Sequence, residues 1–386
     1  MTLRRGYALL AALVAIVVAL SVGIVLLART PASAVRSQLA RPSAWIGTWA
    51  AAPAGAEPGT SRGFPGSTVR NIVHTSIGGT QARITLSNLY GARPLRITRA
   101  TVGTIRVTFA GRMAVTIPAG RQTVSDPVRV RVAADSDLVV DVLTPGASGP
   151  VTYHPHTQQL SALVNGAGVQ ATPYWRYLTA VDVLTNRAEG TVIAFGDSIT
   201  DGYQSTEGAD RRWPDVLADR LDGRYGVVNA GIAGNRLLTE GRGGRSGRSG
   251  LARFDRDVLA HSGAKTVLVA LGINDVLHGS DAASITAGLR ELTARAHARG
   301  LRVVGATLTP FGGYARATAR REAVREEVNG AIRAGKIFDS VVDFDRVVRD
   351  PYAPGRMLGR YDSGDHLHPG DAGYRAMGRA VSVAGL

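Results

Sequence analysis

The stretch Thr191-Val192-Ile193-Ala194-Phe195-Gly196-Asp197-Ser198-Ile199-Thr200-Asp201-Gly202 decides the fold of this chain. Apolar and small residues lead into Gly-Asp-Ser, which predicts a buried strand that ends where Ser198 meets a loop or helix. A serine at such a strand end is well placed to act as a nucleophile. Because a serine hydroxyl is unreactive near neutral pH unless a base removes its proton, the remaining sequence must supply that base and donors for an oxyanion.

Downstream of Gly190, short apolar strands alternate with helical stretches. The predicted strands are Val192–Phe195, Val227–Asn229, Lys265–Leu271, Leu301–Thr307 and Val341–Phe344, and the predicted helices lie near Trp213–Leu221, Leu251–Leu259, Ala282–Arg299, Thr318–Ala334 and after Pro369. This alternation predicts a mostly parallel sheet with helices on both faces. Ligands of such sheets bind at the carboxyl ends of the strands, so functional residues are expected directly after them.

Upstream, the segment from residue 45 to residue 187 has the alternation of half-buried strands and predicts an all-β sandwich domain ahead of an α/β domain at residues 188–386. The alternating apolar positions are Ile105, Val107 and Phe109, then Met113, Val115 and Ile117, then Val128, Val130 and Val132. Such a module could bind carbohydrate, cover one rim of the active site, or be purely structural. His154 and His156 could share a face of an extended segment, but no carboxylate or cysteine at ligand spacing accompanies them, which is weak support for a metal site.

The N-terminus predicts export. Arg4 and Arg5 precede an apolar run over residues 7–28, and Ala32-Ser33-Ala34 resembles a cleavage site, so residues 1–34 read as a signal peptide. An uncleaved signal-anchor spanning the membrane through residues 7–28 is the alternative. Residues 35–44 are a linker. The protein is therefore expected to be secreted, or anchored to the outer face of the cytoplasmic membrane.

Composition narrows the choice of function. The 386 residues suffice for two domains, and the net charge of +15 comes from arginines spread along the whole chain. No basic helix or zinc spacing accompanies this charge, so nucleic acid is not an expected partner. The sequence contains no cysteine, which excludes disulfides, thiolate zinc sites and a cysteine nucleophile. It does not indicate an oligomeric state.

Chemistry-bearing residues follow the predicted strands. Asn229-Ala230-Gly231-Ile232-Ala233-Gly234-Asn235 follows the second, and Gly272-Ile273-Asn274-Asp275 follows the third. Near the C-terminus stands Asp362-Ser363-Gly364-Asp365-His366-Leu367-His368-Pro369, where Asp365 precedes His368 by three residues and can orient one imidazole nitrogen while the other faces outward. His366 is the rival base, and we expect it to project differently because it adjoins Asp365.

These four motifs, in this order, resemble those of the SGNH hydrolases, the GDSL-type esterases and lipases. The resemblance covers roughly Val192 to Leu386 and implies a three-layer, parallel-sheet, flavodoxin-like hydrolase domain. It implies that Ser198 is the nucleophile, that His368 is general base and acid, and that Asp365 orients His368. It also implies an oxyanion hole made by the N–H groups of Ser198 and Gly234 and the side-chain amide of Asn274.

The preference for Gly234 over Gly231 rests on aligning the second motif with the family's second block. Asp275 is expected to be a helix N-cap and Asp197 to be structural, while His74, His261, His278 and His297 show no partner pattern. Trp49-Ala50-Ala51, together with GDSITDGY and DSGDHLHP, is similar to two-domain secreted members of actinobacteria. The stretch Gly241–Arg248 is either a positive rim near the substrate entrance or a solvated insertion.

The resemblance implies a serine esterase that acts on a lipid or short-chain ester, or on an acylated carbohydrate, as a small molecule or on a polysaccharide. No metal or organic cofactor is expected. One alternative is an acyltransferase that passes the acyl group to a glycan hydroxyl. Another is a cell-surface carbohydrate-binding protein with a relic hydrolase domain.

Overall fold

The structure of the protein is a computed structural model that describes residues 41–241 and 246–386. The predicted signal or anchor at residues 1–34 and most of the linker lie outside the described residues, as does the middle of the Gly241–Arg248 stretch. Residues Ser43–Leu386 form one compact unit, and the predicted domain boundary after residue 187 stays a prediction. Within the described residues, no helix is long and apolar enough to cross a membrane.

Antiparallel strands form the first half of the described chain. They are Ala44–Ala50 (β1), Gly55–Ala56 (β2), Ser67–Thr75 (β3), Gly79–Ser87 (β4), Leu95–Ile97 (β5), Arg99–Val102 (β6), Ile105–Arg106 (β7), Val115–Ile117 (β8), Gln122–Val124 (β9), Val128–Val132 (β10), Ser136–Thr144 (β11), Thr152–His154 (β12), Ser161–Asn165 (β13), Gly168–Thr172 (β14), Trp175–Arg176 (β15) and Leu178–Thr185 (β16). One sheet has the order β1-β16-β4-β10, with β9 also on β4, and a second has β14-β13-β3-β11-β6-β7. Two small sheets, β15-β12-β2 and β5-β8, complete this part.

The pairing of β3 with β11 shows why the alternating pattern folds in this way. The two strands pair from Ser67 opposite Thr144 to Thr75 opposite Ser136, without a register shift. Every second residue of β3 is buried, because successive side chains of a strand point to opposite faces of the sheet.

Two strands predicted in this part, at Ile105–Phe109 and Met113–Ile117, are shorter in the structure than the sequence pattern predicts. The pattern of Ile105–Phe109 predicts one continuous strand, but β7 ends at Arg106. The cause is a turn at Ala110-Gly111, where both residues have positive φ and both N–H groups donate to the carboxylate of Asp126. Met113 follows this turn and is exposed, so the next strand begins only at Val115.

The second half contains a parallel sheet. Its strands are Thr191–Gly196 (β17), Gly226–Gly231 (β18), Ala264–Ala270 (β19), Arg302–Ala306 (β20) and Ser340–Val342 (β21), and their order is β18-β17-β19-β20-β21. That order is the one found in flavodoxin-like sheets, whose ligands bind at the carboxyl edge. Strand β17 has a parallel neighbour on each side and is buried throughout, so Ser198 follows the carboxyl end of an interior strand of the sheet.

Helices connect these strands. They are Ser198–Asp201 (α1), Trp213–Leu221 (α2), Gly250–Phe254 (α3), which continues into a π-helical turn at Asp255–Leu259, Ile273–Leu277 (α4), Ala282–His297 (α5), Ala319–Arg333 (α6), Phe344–Val348 (α7) and Asp371–Ala380 (α8), followed by a 3-10 turn at Val383–Gly385. The two long helices have capped starts. The side chain of Asp281 accepts the Ser284 N–H, and that of Thr318 accepts the Arg321 N–H.

Strand β1 joins two hydrophobic cores. Ile46 and Trp49 belong to the core of the antiparallel strands, whereas Ala50 belongs to the core of the parallel sheet. The backbones approach closely here, since a Cβ placed on Gly226 would lie 2.0 Å from the carbonyl oxygen of Gly47. The β-rich part therefore packs directly on the amino end of β18.

Candidate active site

Ser198 begins α1 at the carboxyl end of β17. Asp197 caps this helix by accepting the Ile199 N–H at 3.0 Å. The strand can turn into the helix at once because Gly196 has no side chain: a Cβ there would lie 2.0 Å from Oγ1 of Thr200. The hydroxyl of Ser198 is therefore presented from a packed turn.

His368 and Asp365 complete a hydrogen-bonded chain with Ser198. Nε2 of His368 lies 2.9 Å from Oγ of Ser198, and Nδ1 lies 2.6 Å from Oδ2 of Asp365. The other oxygen of Asp365 accepts the N–H groups of Leu367 and His368 at 2.9 and 2.8 Å. Burial alone would raise the pKa of Asp365, but the bonds from His368 and Leu367 hold that pKa below its ordinary value. A carboxylate fixed in this way keeps the Nδ1 proton on the imidazole, and Nε2 then faces the serine as an acceptor.

His366 lies outside this chain. Its Nδ1 is 2.6 Å from Oδ2 of Asp362, its φ is +63°, and its side chain is 53% exposed. The two histidines of the motif thus bind two different carboxylates. Of the two, the structure places only His368 against Ser198.

Gly231, which ends β18, and Gly234, in the loop that follows, differ in whether their N–H groups are free. The Gly231 N–H donates to Oδ1 of Asn229 at 2.9 Å. Neither the Gly234 N–H nor the Ser198 N–H has a protein acceptor within the described residues. Gly234 also has a φ of +72°, which favours glycine. An oxyanion donor must be uncommitted in the free protein, and Gly234 meets that requirement where Gly231 does not.

Asn274 lies against this same loop. Its Nδ2 donates to the carbonyl oxygen of Asn235, the residue after Gly234, at 3.0 Å. Because an amide nitrogen carries two hydrogens, one remains for another acceptor. The Asn274 side chain is therefore held by the loop that carries Gly234.

The expectation that Asp275 caps a helix is wrong. Gly272 occupies the N-cap of α4, and Asp275 lies inside the first turn. Its carboxylate accepts the N–H groups of Leu237 and Leu238 at 2.7 and 3.0 Å, and it is fully buried. Asp275 therefore joins α4 to the loop beyond Gly234. That contact is long-range, and the local pattern Gly-x-Asn-Asp does not reveal it.

Asp197 is a buried carboxyl next to the nucleophile. Burial raises its pKa to about 7, against the opposing effect of the Ile199 N–H, and the negative charge of Asp275 raises it further. The carboxyl group of Asp197, which caps α1, therefore titrates near neutral pH.

Arg253 is a buried cation beneath these loops, and the sequence gives no sign of its role. Its guanidinium donates to the carbonyl oxygens of Gly196 and Ala230, both at 2.8 Å, and to Oδ1 of Asn235 at 3.0 Å. It also pairs with Asp257 at 3.1 Å. One side chain thus ties the ends of β17 and β18 to the loop that Asn274 contacts.

His154 and His156 do not share one face, contrary to the expectation from their spacing. Strand β12 ends at His154, and His156 has a φ of +57°. His154 is buried against Asp201, with Nε2 3.0 Å from Oδ1. His156 packs edge-on against Tyr203, with ring centroids 5.2 Å apart, and Tyr203 packs against His368 at 4.8 Å. The β-rich part of the chain therefore reaches the active site.

His74, for which the sequence shows no partner pattern, has carboxylate partners in the structure. Within the described residues it forms, with Asp137 and Asp210, a group whose ligand atoms lie within 4.8 Å of one another. Its other nitrogen is 2.9 Å from Oδ1 of Asp135. Burial alone would lower the pKa of His74, but these carboxylates raise it, and a protonated imidazole satisfies all three. His74, Asp135 and Asp210 line a cavity of about 460 Å³ whose lining does not include Ser198.

Known proteins are similar to the α/β part of the chain. Residues 194–376 match the GDSL-like Lipase/Acylhydrolase family. The chain is 33% identical over 112 residues to Thioesterase 1/protease 1/lysophospholipase L1 of Escherichia coli, a match that covers 28% of this chain and 48% of that protein. The chain thus spans about half the length of the curated relatives that it matches.

Solved structures similar to this chain cover half of it. A carbohydrate acetylesterase family member from Sinorhizobium meliloti is 21% identical and has a TM-score of 0.42, covering 50% of this chain and 94% of that one. The aryl esterase of M. smegmatis is 18% identical with a TM-score of 0.41, and it covers 50% and 95%.

The family match begins inside β17 and ends inside α8, so it spans all three parts of the Ser198, Asp365 and His368 chain. The resemblance predicted from four ordered motifs is confirmed: residues 194–376 match the model of the GDSL-like lipase and acylhydrolase family.

Proposed function

We propose that this protein is a serine esterase that hydrolyses carboxylic esters through an acyl-enzyme intermediate. The observation that carries the proposal is the hydrogen-bonded chain from Oγ of Ser198 to Nε2 of His368 and from Nδ1 of His368 to Asp365, at 2.9 and 2.6 Å. In a family of lipases and acylhydrolases, this is the arrangement that acyl transfer to serine requires.

In the proposed reaction, Oγ of Ser198 bonds to the ester carbonyl carbon while its proton passes to Nε2 of His368. The carbonyl oxygen becomes an oxyanion that the N–H groups of Ser198 and Gly234 and the amide of Asn274 stabilise. Each such donor contributes about 2.7–4 kcal/mol to transition-state stabilisation. The C–O bond then breaks, His368 gives the proton to the leaving alkoxide, and the acyl group stays on Ser198.

Water completes the proposed cycle. His368 removes a proton from the water as its oxygen bonds to the acyl carbon, and the acid leaves as the proton returns to Ser198. Asp365 holds the Nδ1 proton throughout and stabilises the imidazolium that forms twice in each turnover.

We propose that the substrate is a short-chain, aryl or lipid ester, or an acyl group on a polysaccharide, and that the protein acts outside the cell. The predicted signal or anchor at residues 1–34 supports export. We also propose that the antiparallel strands of residues 45–187 form a sandwich domain beside the hydrolase domain. The E. coli relative is named as a thioesterase and lysophospholipase, so thioesters and lysophospholipids belong in the substrate panel.

The test compares the full chain with its Ser198→Ala variant on p-nitrophenyl acetate. We expect the variant to lose at least about 10³-fold in kcat, because the nucleophile is gone and only the oxyanion donors remain. Its circular dichroism spectrum should be unchanged, and Ser280→Ala serves as the matched control. Activity that survives Ser198→Ala would contradict the mechanism.

Two further measurements separate the alternatives. A fluorophosphonate probe should label Ser198, and absence of labelling would favour a relic domain. Product analysis with an added glycan acceptor distinguishes hydrolysis from transfer, because an acyltransferase would shift the acyl group from water to the acceptor hydroxyl.

A further inference from the structure

We propose that His154, from the β-rich part of the chain, is a positioning residue of the active site and acts through Asp201. The inference rests on the proposed function, because it concerns the alignment of Ser198 and of the oxyanion donors for acyl transfer.

His154 is held on both ring nitrogens. Nδ1 lies 2.7 Å from the carbonyl oxygen of Ala52, and Nε2 lies 3.0 Å from Oδ1 of Asp201. The side chains of His154 and Asp201 are 4% and 3% exposed, so water does not screen the pair. The imidazole also packs against Trp175, with ring centroids 5.6 Å apart, which fixes its plane.

Both partners of the imidazole are acceptors. A backbone carbonyl can only accept a hydrogen bond, and so can an ionised carboxylate. His154 must therefore donate from both nitrogens, which makes it an imidazolium opposite a buried carboxylate. Burial alone would lower the pKa of His154, but Asp201 and the Ala52 carbonyl outweigh that effect and leave the pKa raised.

Asp201 connects this cation to the chemistry. It ends the short helix α1, which Ser198 begins, and its own N–H donates to the carbonyl of Asp197 at 2.9 Å. Its second oxygen, Oδ2, accepts the Ala233 N–H at 3.2 Å. Ala233 directly precedes Gly234, so one carboxylate bridges the helix of the nucleophile and the loop of an oxyanion donor.

The two carboxylate oxygens of Asp201 therefore have different partners. Oδ1 is fixed by His154 and Oδ2 holds the oxyanion loop, so the orientation of the carboxylate sets the position of Gly234 relative to Ser198. Loss of His154 leaves Oδ1 without its donor and frees the carboxylate to rotate. Misplacement of reacting groups by about 1 Å can cost about 100-fold in rate without weakening substrate binding.

The test is a double-mutant cycle on the full chain with p-nitrophenyl acetate. His154→Phe keeps a ring against Trp175 but removes both donors. Asp201→Ala removes both acceptor oxygens, the one that faces His154 and the one that accepts the Ala233 N–H. We expect each single change to lower kcat by about 10- to 100-fold with KM within about twofold. The double variant should be no slower than the slower single variant, since both changes break the same connection.

Conservative replacement and a matched control sharpen the test. His154→Gln retains a neutral amide donor for Asp201 and should recover part of the kcat lost in His154→Phe. His297→Phe removes a histidine–aspartate pair with Asp339, at the amino edge of the sheet, and should leave kcat unchanged. Thermal unfolding and near-UV circular dichroism establish that each variant is folded at the assay temperature. If His154→Phe does not fold, the same cycle is made with His154→Gln.

Each outcome decides the proposal. Wild-type kcat in the folded His154 variants, or effects of the two changes that multiply in the double variant, would overturn it while leaving the esterase assignment intact. An equal rise of KM and fall of kcat/KM would assign His154 to substrate binding and also overturn it. If the wild-type chain hydrolyses no ester and Ser198 resists the fluorophosphonate probe, the proposed function fails and this inference fails with it.

Discussion

Replacement of Arg253 by methionine tests whether a buried cation holds the active-site loops together. Arg253→Met preserves a long apolar side chain but removes the donors to the carbonyls of Gly196 and Ala230 and to the side chain of Asn235. The carbonyl oxygen of Gly196 still accepts the Ile232 N–H at 3.2 Å, so the uncompensated loss falls on the Ala230 carbonyl and on Oδ1 of Asn235. Each such acceptor costs about 1–3 kcal/mol, which gives about 2–6 kcal/mol in total.

Two effects place the expected loss in the lower half of that range. Burial lowers the pKa of Arg253 to about 10, although the group is still protonated near neutral pH. The wild-type chain therefore bears the desolvation cost of a buried charge. The methionine variant does not bear that cost. The carboxylate of Asp257 is not left alone either, because Arg256 donates to both of its oxygens. We therefore expect the free energy of unfolding to fall by about 2–4 kcal/mol, a large share of the total stability of a typical domain.

Urea unfolding followed by tryptophan fluorescence measures this loss, with p-nitrophenyl acetate hydrolysis measured on the folded variant. We expect kcat to fall as well, because the Asn235 backbone accepts from Asn274 while its side chain loses Arg253. The matched control is Arg299→Met on the exposed surface, which should change stability by no more than about 0.5 kcal/mol. If Arg253→Met costs less than about 1 kcal/mol and retains the wild-type kcat, the three hydrogen bonds do not hold the loops.

Two further changes probe the carboxyl groups of the site. Because burial raises the pKa of Asp197 to about 7, the folded chain keeps a proton that the unfolded chain loses above about pH 4, so this group makes stability fall as pH rises from about 4 to about 7. Asp197→Asn should remove up to about 4 kcal/mol of that fall, for a shift of about three units, in urea unfolding at a series of pH values; identical slopes in both proteins would count against the buried carboxyl. Asp365→Ala leaves Nδ1 of His368 without its acceptor and should lower kcat by about 10³- to 10⁴-fold with little change in KM. Asp362→Ala, which removes the acceptor of the His366 ring and of the Gly364 and His366 N–H groups but no acceptor of His368, is its control, and equal effects of the two changes would contradict the assignment of His368.

Much of the α/β part could be predicted because its signals are local. The predicted strand Val192–Phe195 lies within β17, and the predicted helix at Trp213–Leu221 has the bounds of α2. Short apolar runs and amphipathic stretches report burial on the sheet and its helices directly. The hydrolase fold followed from the order of four motifs at strand ends, and the family match over residues 194–376 confirms it.

The contacts that support the site could not be predicted in this way. Arg253 is one arginine among many, and nothing near it in the sequence shows that it contacts Gly196, which lies 57 positions upstream. His154 and Asp201 are 47 positions apart, and their pairing depends on how β12 packs against α1. Buried polar contacts of this kind leave no period in the sequence, because each partner is chosen by the three-dimensional fold.

The change of pattern near residue 187 marks a change of topology, but the contacts that shape the active site cross it. At the amino edge of the parallel sheet, Gly47 donates to Oγ1 of Thr191 at 3.0 Å. At the carboxyl edge, His154 neutralises the carboxylate that ends the helix of Ser198. A buried charge that loses a partner is strongly destabilising, so the contact with His154 of the β-rich part helps to hold Asp201 in the interior. The catalytic geometry is therefore a property of both halves of the described chain, although every residue proposed to touch the substrate's carbonyl lies in the second.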